Sequence, residues 1–249
     1  MLWLTGSALS LPAGGRPRTG DVVVVHATTE IEVGLDSRGH TVVRTMRCEV
    51  PLLARVVGDA GAALTLAIVN GAAGPLGGDR LRFRLVVGPG AHVSVQSVAA
   101  AMALPGPRGE ASESVVDIVV GDGATLDWHP EPMVSVTGSD HRTLVRLSAA
   151  GSSIVSMREG VSLGRHGEPP GRFALRERVT IDGVAVLDHE TAFAPGALMG
   201  AGAQGIGRTM TTEVVIGTAL PGPFVDVTDD CMRSSVHLSP ICALVTTRT

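Results

Sequence analysis

Alternation of polar and apolar residues dominates the chain and predicts β-strands. From Arg80 to Leu85, arginine alternates with leucine or phenylalanine. A strand would place three guanidinium groups on one face and three apolar side chains on the other. Gly77-Gly78 precedes this stretch and Gly88-Pro89-Gly90 follows it. Because glycine supplies the positive φ of tight turns and proline cannot donate a ladder hydrogen bond, we predict a strand between two turns.

A strand–turn–strand pattern recurs through the middle of the chain. Each copy has a glycine in its turn, followed by an apolar run. The four glycines are spaced about 30 residues apart and are Gly58, Gly88, Gly121 and Gly151. The interval predicts hairpins that stack in succession, each covering the apolar face of its neighbour. Periodicity alone leaves a large β-sandwich or a barrel equally open.

Further strands are predicted on both sides of this repeat. Their patterns place them at residues 21–33, 41–49, 176–181, 184–190 and 213–217, with a last strand–turn–strand unit ending at residue 249. Asp182-Gly183 is typical of a two-residue hairpin turn. Residues 1–11 are predicted as a first strand or a mobile end, 12–20 as a linker and 195–207 as a loop. The least unlikely helix, Val98–Leu104, is stopped by Pro105, so an all-β (mainly β) fold is predicted.

Composition supports this fold class and narrows the chemistry. The 249 residues are 44% hydrophobic but only 2% aromatic, so the core must be built from Val, Leu, Ile and Ala. One domain over residues 1–249 is the simplest organisation at this length. All 20 basic residues are arginine, which excludes Schiff-base and phosphate-loop lysine chemistry. A net charge of −4 gives no reason to expect a nucleic-acid partner.

Cysteine usage and the N-terminal residues favour a cytoplasmic location. Cys48, Cys231 and Cys242 are odd in number and lack a framework spacing, which fits a reducing compartment. The apolar start of the chain is too short to span a bilayer, and no basic residue precedes it. We therefore expect no membrane association. The spacing of Cys231, His237 and Cys242 matches no standard metal site, so buried thiols are the expected outcome.

Asp127, His129 and Glu131 lie at positions i, i+2 and i+4. In an extended strand they share a face, which brings two carboxylates and an imidazole within reach of one another. First-row divalent cations, Ni²⁺ among them, accept such oxygen and nitrogen donors. The alternative is a solvated strand face beside Pro130 and Pro132, and the sequence leaves both open.

Three stretches, in order along the chain, resemble the motifs of a known family. They are residues 77–91, which hold Gly-Gly-Asp and the alternating strand, residues 123–132 (GATLDWHPEP) and residues 163–168 (LGRHGE). Together they are similar to the signature of the urease accessory protein D family, also called H, over roughly residues 50 to 215. The resemblance implies stacked β-sheets in a helix-like arrangement, with few short α-helices.

The resemblance also implies a non-enzymatic role in urease maturation. A family member would bind apo-urease, the helical accessory protein F and, through it, the GTPase G. It would guide Ni²⁺ to the urease active site along a hydrated internal passage, with no tightly bound cofactor. Three more acidic residues in family-like stretches, Asp79, Glu159 and Glu168, would join Asp127, His129 and Glu131 as transient nickel ligands, although relatives commonly carry glutamine at the position of Glu131.

Each assignment has a structural alternative that the sequence leaves open. Asp79 would instead bond nearby backbone N–H groups in its turn. Glu159 would pair with Arg158 or another arginine, and Glu168 would lie on the surface. A strand face of three arginines would either meet an acidic partner surface or remain solvated. These candidate partner-binding residues are Arg80, Arg82 and Arg84.

Beyond Gln96 the chain departs from the family pattern. Relatives usually continue with a Thr-Lys-Val-Tyr-like segment, whereas residues 97–106 read SVAAAMALPG and lack both the lysine and the tyrosine. Whatever those two groups do in relatives is therefore not expected to transfer to this chain.

Two other classes of function compete with the maturation role. One is a polysaccharide-acting enzyme that uses two carboxylates on a stacked-β fold. The shortage of aromatic residues argues against it, because sugar rings are usually held by aromatic stacking. The other is a structural β-protein, which would more naturally be secreted and carry a signal sequence.

Overall fold

A computed structural model describes residues 24–59, 63–195, 208–217, 219–228 and 231–249. These residues form strands and turns without an α-helix, so the all-β prediction is confirmed and the few short helices are not found there. None of them belongs to a helix long and apolar enough to cross a membrane. The predictions for residues 1–20, for the start of the strand at 21–33 and for nearly all of the loop at 195–207 lie outside the described residues.

The described residues form eighteen strands. In chain order they are β1 His26–Leu35, β2 Thr41–Arg47, β3 Leu52–Asp59, β4 Ala63–Asn70, β5 Arg80–Val87, β6 His92–Ser97, β7 Met102–Ala103, β8 Ser112–Val120, β9 Thr125–His129, β10 Met133–Ser135, β11 Asp140–Ala149, β12 Ile154–Leu163, β13 Arg172–Ile181, β14 Val184–Phe193, β15 Thr209–Ile216, β16 Phe224–Val227, β17 Met232–Ser239 and β18 Cys242–Arg248.

The strands pair into two sheets. Sheet A has seven strands in the order β14-β13-β11-β8-β5-β1-β2. Its five central strands run parallel, and β2 and β14 pair with it antiparallel. Sheet B has the order β16-β17-β18-β15-β12-β9-β6-β4-β3, and the short strands β7 and β10 join it beside β12.

The repeated unit is a coil that passes from one sheet to the other. After β5 the chain turns at residues 88–91 and continues as β6 in the opposite sheet, and β8–β9 and β11–β12 repeat this path. Equivalent strands of successive coils pair in parallel, so that Val87 lies beside Val120, and Leu126 beside Val155. The stack is therefore confirmed, but only the first copy, β3–β4, is an antiparallel hairpin.

The corners of the coils explain why the sequence repeats there. Gly90 and Gly123 have φ angles of 68° and 61°, which favour glycine. The alanines that follow them, Ala91 and Ala124, are fully buried. The amide of Gly90 donates to the carbonyl of Asp122 in the next coil, at 2.9 Å. Small residues at these points let one coil lie closely against the next.

The core lies between the two sheets and is filled by alternate residues of both. The predicted faces of β5 are confirmed, since Leu81, Phe83 and Leu85 are buried and the arginines between them are not. The hairpin turn between β13 and β14 is also confirmed. Asp182 and Gly183 have φ angles of 49° and 79°, as a two-residue primed turn requires.

Candidate functional site

A cavity of about 120 Å³ lies between the sheets, away from the coil corners. Its wall is mainly apolar and includes three aromatic side chains, Phe83, Trp128 and Phe173. Two carboxyl groups also line it, from Glu159 of β12 and from Glu131 just after β9. The cavity is therefore an apolar space with two carboxyl groups in its wall, and its use as a nickel passage stays a prediction.

Glu159 occupies a position in β12 that would otherwise be apolar. Its inward-facing neighbours in the strand, Met157 and Val161, are fully buried. The indole Nε1–H of Trp128 donates a 2.6 Å hydrogen bond to Oε1 of Glu159. Burial raises the pKa of Glu159 to about 8, the hydrogen bond from Trp128 opposes this rise, and the nearby charge of Glu177 adds to it.

Glu177 is a second interior carboxyl group, which the sequence analysis missed. It lies in β13 between Leu175 and Val179 and is fully buried. Neither of its carboxyl oxygens has a hydrogen-bond partner among the described residues. Burial raises the pKa of Glu177 to about 7. The signal available was a single acidic residue at an inward position of an otherwise apolar alternating strand.

Thr212 of β15 faces the same interior space. It pairs in register with Glu159 and is fully buried. Its hydroxyl lies close enough to Glu177 to oppose the rise in pKa, but the geometry falls short of a hydrogen bond. Glu159, Glu177 and Thr212 thus bring two carboxyl groups and a hydroxyl together between the sheets.

Asp79 is buried at the start of β5 and is held by backbone groups. One carboxylate oxygen accepts a hydrogen bond from the amide of Val25 at 2.9 Å, and the other from the amide of Leu76 at 2.8 Å. This is the turn-capping alternative that the sequence left open. A role of Asp79 in metal transfer stays a prediction.

A buried serine–histidine pair joins β8 and β11 of sheet A. Ser112 of β8 and His141 of β11 are fully buried, and Ser112 Oγ lies 2.8 Å from His141 Nδ1. The other ring nitrogen, Nε2, has no hydrogen-bond partner among the described residues. Burial lowers the pKa of His141 to about 4, so this imidazole is neutral near pH 7. The pair contributes to the packing of sheet A.

The three residues predicted to share a strand face do not form one group. Asp127 and His129 lie on the outer face of sheet B, and His129 Nε2 is 2.7 Å from Ser156 Oγ. Glu131 follows the end of β9 and lines the cavity. Across the described ranges, no three His, Cys, Asp or Glu side chains are arranged to hold a metal ion. Transient contacts of these residues with nickel stay a prediction.

Glu168 fixes a loop between β12 and β13. Its carboxylate accepts hydrogen bonds from Arg165 Nε at 2.8 Å and from the amide of Thr137 at 3.0 Å. The pairing suggested for Glu159 with Arg158 does not occur, because Arg158 pairs with Glu213 at 3.1 Å. Of the six predicted nickel ligands, two line the cavity, Glu131 and Glu159, and the other four lie elsewhere.

The arginines of β5 lie on the outer face of sheet A among acidic residues of neighbouring strands. Arg80 pairs with Glu113 at 3.3 Å, and Arg82 with Asp117 at 3.0 Å. Arg84 lies in register with Asp117 of the neighbouring strand. Two of the three are thus engaged within the sheet, and contact with an acidic partner stays a prediction.

The cysteines of the described residues are free thiols. Cys242 is fully buried, which raises its pKa to about 11. His237 Nε2 lies 2.8 Å from the carbonyl oxygen of Pro221. Of the two cysteines in this group, Cys242 is thus a buried thiol as expected, whereas Cys231 is partly exposed.

Comparison with known proteins identifies the family. The model of the UreD urease accessory protein family matches residues 26–244. The chain belongs to this family. Urease accessory protein UreD 3 of Streptomyces griseus subsp. griseus is 38% identical over 205 residues, which cover 78% of this chain and 80% of that protein. The UreD proteins of Frankia alni and Streptomyces coelicolor are 35% and 34% identical, over 83% and 79% of this chain and 73% and 80% of their own lengths.

The segment that departs from the family pattern forms part of the cavity wall in this UreD chain. Ser97, Ala99 and Ala101 all line the cavity. Small side chains therefore occupy this part of the wall. In relatives, the corresponding segment usually carries a lysine and a tyrosine. The departure falls on the candidate site rather than on a remote loop.

Proposed function

We propose that this UreD chain is a cytoplasmic, non-enzymatic urease maturation factor. It binds apo-urease, the accessory protein F and, through F, the GTPase G, and it guides Ni²⁺ to the urease active site. Nickel is the cargo in this proposal, and the chain holds it only in passing. Membership of the UreD family supports the maturation role.

The observation that supports metal guidance is the carboxyl pair Glu159 and Glu177 in the interior. Burial keeps Glu159 mostly protonated and Glu177 about half protonated at neutral pH, because a lone carboxylate is poorly solvated there. A divalent cation supplies the missing countercharge, so its entry favours release of both protons. Two carboxylates and the hydroxyl of Thr212 make a small set of oxygen donors, which suits transfer better than storage.

The burial of the three acidic side chains increases from Glu131 through Glu159 to Glu177. Glu131 is exposed at the cavity, Glu159 is half-buried in its wall and Glu177 is fully buried. We infer that nickel enters beside Glu131 and passes Glu159 before Glu177. The predominantly apolar wall offers the ion few other ligands, so it moves between these carboxylates.

Co-expression of the urease subunits with the accessory proteins tests the proposal. The measured quantities are nickel per urease and the amount of this chain that co-purifies with urease. Omitting the chain is expected to lower the nickel content. The variants Glu159→Gln and Glu177→Gln, and their combination, are expected to lower it while co-purification persists. Glu213→Gln, on the outer face of sheet B, is the matched control.

The outcomes separate the two parts of the proposal. Unchanged nickel content when the chain is omitted overturns the maturation role. A normal nickel content with the double variant overturns the interior passage and leaves the maturation role standing. Glu168→Gln tests the remaining loop carboxylate in the same assay.

A further inference from the structure

Sheet B extends beyond the part of sheet A that covers it. Its last strands, β16 and β17, carry four exposed apolar side chains on the face that elsewhere forms the core. Their exposed fractions are 77% for Val225, 66% for Val227, 38% for Met232 and 51% for Val236. The register places Val227 beside Met232, and Val236 beside the buried Leu244. The core face thus continues into an apolar patch that no described residue covers, a feature typical of interaction surfaces.

The same patch borders an open sheet edge. Strand β16 is the last strand of sheet B and pairs with β17 on one side. Among the described residues, no further strand pairs with its other side. An edge strand presents unpaired N–H and C=O groups that accept an added strand. An added strand would also extend the apolar row and cover Val225 and Val227.

The charge on β16 distinguishes between possible occupants. Asp226 is exposed on the opposite face and forms no ion pair with a described residue. Its cross-strand neighbour Arg233 places its guanidinium 5.7 Å from the centre of the Phe224 ring. Antiparallel pairing with a second copy, centred on Asp226, would set two carboxylates directly opposite each other, which is destabilising. A basic residue at the central position of another protein would pair with Asp226.

We propose that β16 is the docking edge for an extended segment of another protein of the urease maturation assembly. The segment adds as a strand and has an apolar–basic–apolar sequence. Its two apolar residues cover Val225 and Val227, and its basic residue meets Asp226. This inference rests on the proposed function for the source of the partner, and on the patch, the open edge and Asp226 for the mode of binding.

Hydrogen exchange on the intact assembly tests the docking edge. The chain is co-expressed with apo-urease and the other accessory proteins, and the amides of residues 224–227 are compared between the assembly and the chain alone. We expect those that point away from β17 to exchange about tenfold more slowly in the assembly, because they gain strand partners. The partner segment protected at the same time is expected to carry the apolar–basic–apolar sequence.

Two variants and a control accompany this measurement. The first variant is Asp226→Lys, and the second combines the near-isosteric changes Val225→Thr and Val227→Thr. Each is expected to lower the affinity of the chain for its partner by about tenfold, as loss of a central contact does. Val119→Thr is the control, since Val119 is 38% exposed and lies on β8 of sheet A, away from the edge strand and from the cavity.

Each outcome supports or overturns the inference. An assembly that forms with unprotected β16 amides, and equally well with Asp226→Lys, overturns the docking edge but not the maturation role. In the chain alone, hydrogen-exchange protection of the β16 amides that increases with protein concentration would identify a second copy as the occupant. That result also overturns the docking edge for another protein. A wild-type chain that co-purifies with none of the urease proteins overturns both proposals.

Discussion

The indole N–H of Trp128 donates a 2.6 Å hydrogen bond to the carboxyl group of Glu159 between neighbouring strands of sheet B. This hydrogen bond stabilises the ionised form of Glu159 and lowers its pKa. Burial and the nearby charge of Glu177 stabilise the protonated form and raise its pKa. The pKa of Glu159 is therefore set by three identified influences, and two of them can be removed by single substitutions.

Trp128 fluorescence is expected to report the titration of Glu159. The chain has two tryptophans, so a Trp3→Phe background leaves Trp128 as the only one. Its emission is expected to change with a midpoint near pH 8, where Glu159 loses its proton. Glu177→Gln is expected to lower the midpoint, because it removes the charge that raises the pKa of Glu159. Glu159→Gln is expected to abolish the transition, and a transition that survives this change contradicts the assignment.

The stability of the metal-free chain is expected to fall between pH 6.5 and 8. Folded Glu177 and Glu159 keep their protons up to pH values of about 7 and 8, whereas the unfolded groups lose them near 4.5. The folded chain holds more protons in this window, so the free energy of unfolding decreases as pH rises, on the order of 1 kcal/mol per pH unit and retained proton. His141 acts in the opposite direction, but only between its folded value of about 4 and its unfolded value of 6.5.

Urea unfolding at pH 6.5 and pH 8 measures this effect. The double variant Glu159→Gln and Glu177→Gln is expected to be less sensitive to pH in the same range, because neither amide titrates. Equal pH dependence of the wild-type chain and the double variant would show that the two interior carboxyl groups do not titrate as described.

Local patterns were sufficient to predict the parts of the fold that depend on neighbouring residues. The alternation of Arg80 to Leu85 predicted the two faces of β5, and Asp182-Gly183 predicted the hairpin turn between β13 and β14. The strand–turn–strand repeat at intervals of about 30 residues did not reveal whether a strand pairs with the next strand or with the equivalent strand one coil later. Both arrangements need the same turn and the same alternation, and long-range pairing decides between them.

The candidate site shows the same limit. Glu159 was found through the resemblance to the family, but Glu177 was not, although both interrupt apolar alternation at an inward position. Their proximity depends on β12 and β13 lying in different sheets that face each other, which a single strand does not encode. Asp79 and Glu168 each have one partner three residues away and a second partner in a distant segment, at residues 25 and 137, and the distant partners were not predicted.

Ser112→Ala is expected to destabilise the chain by about 1–3 kcal/mol. The substitution removes the hydroxyl that lies 2.8 Å from His141 Nδ1 and leaves a buried imidazole nitrogen without that partner. Ser94→Ala, at a half-buried position on the outer face of β6, is the control for loss of a serine hydroxyl. Chemical denaturation compares the two. Equal effects would show that the Ser112–His141 contact contributes little to stability.

Gly183→Ala is expected to destabilise the chain by about 1–2 kcal/mol through backbone conformation alone. Gly183 has a φ of 79°, and a Cβ added there meets no atom within 4 Å, so steric contact with the rest of the protein plays no part. Gly222→Ala is the matched control, because Gly222 is also open to solvent but lacks a positive φ. The free energy of unfolding, measured in urea, is expected to fall for Gly183→Ala and to stay nearly constant for Gly222→Ala. Similar losses in both variants would mean that the primed turn between β13 and β14 does not require glycine, and that this hairpin is held by its strand pairing instead.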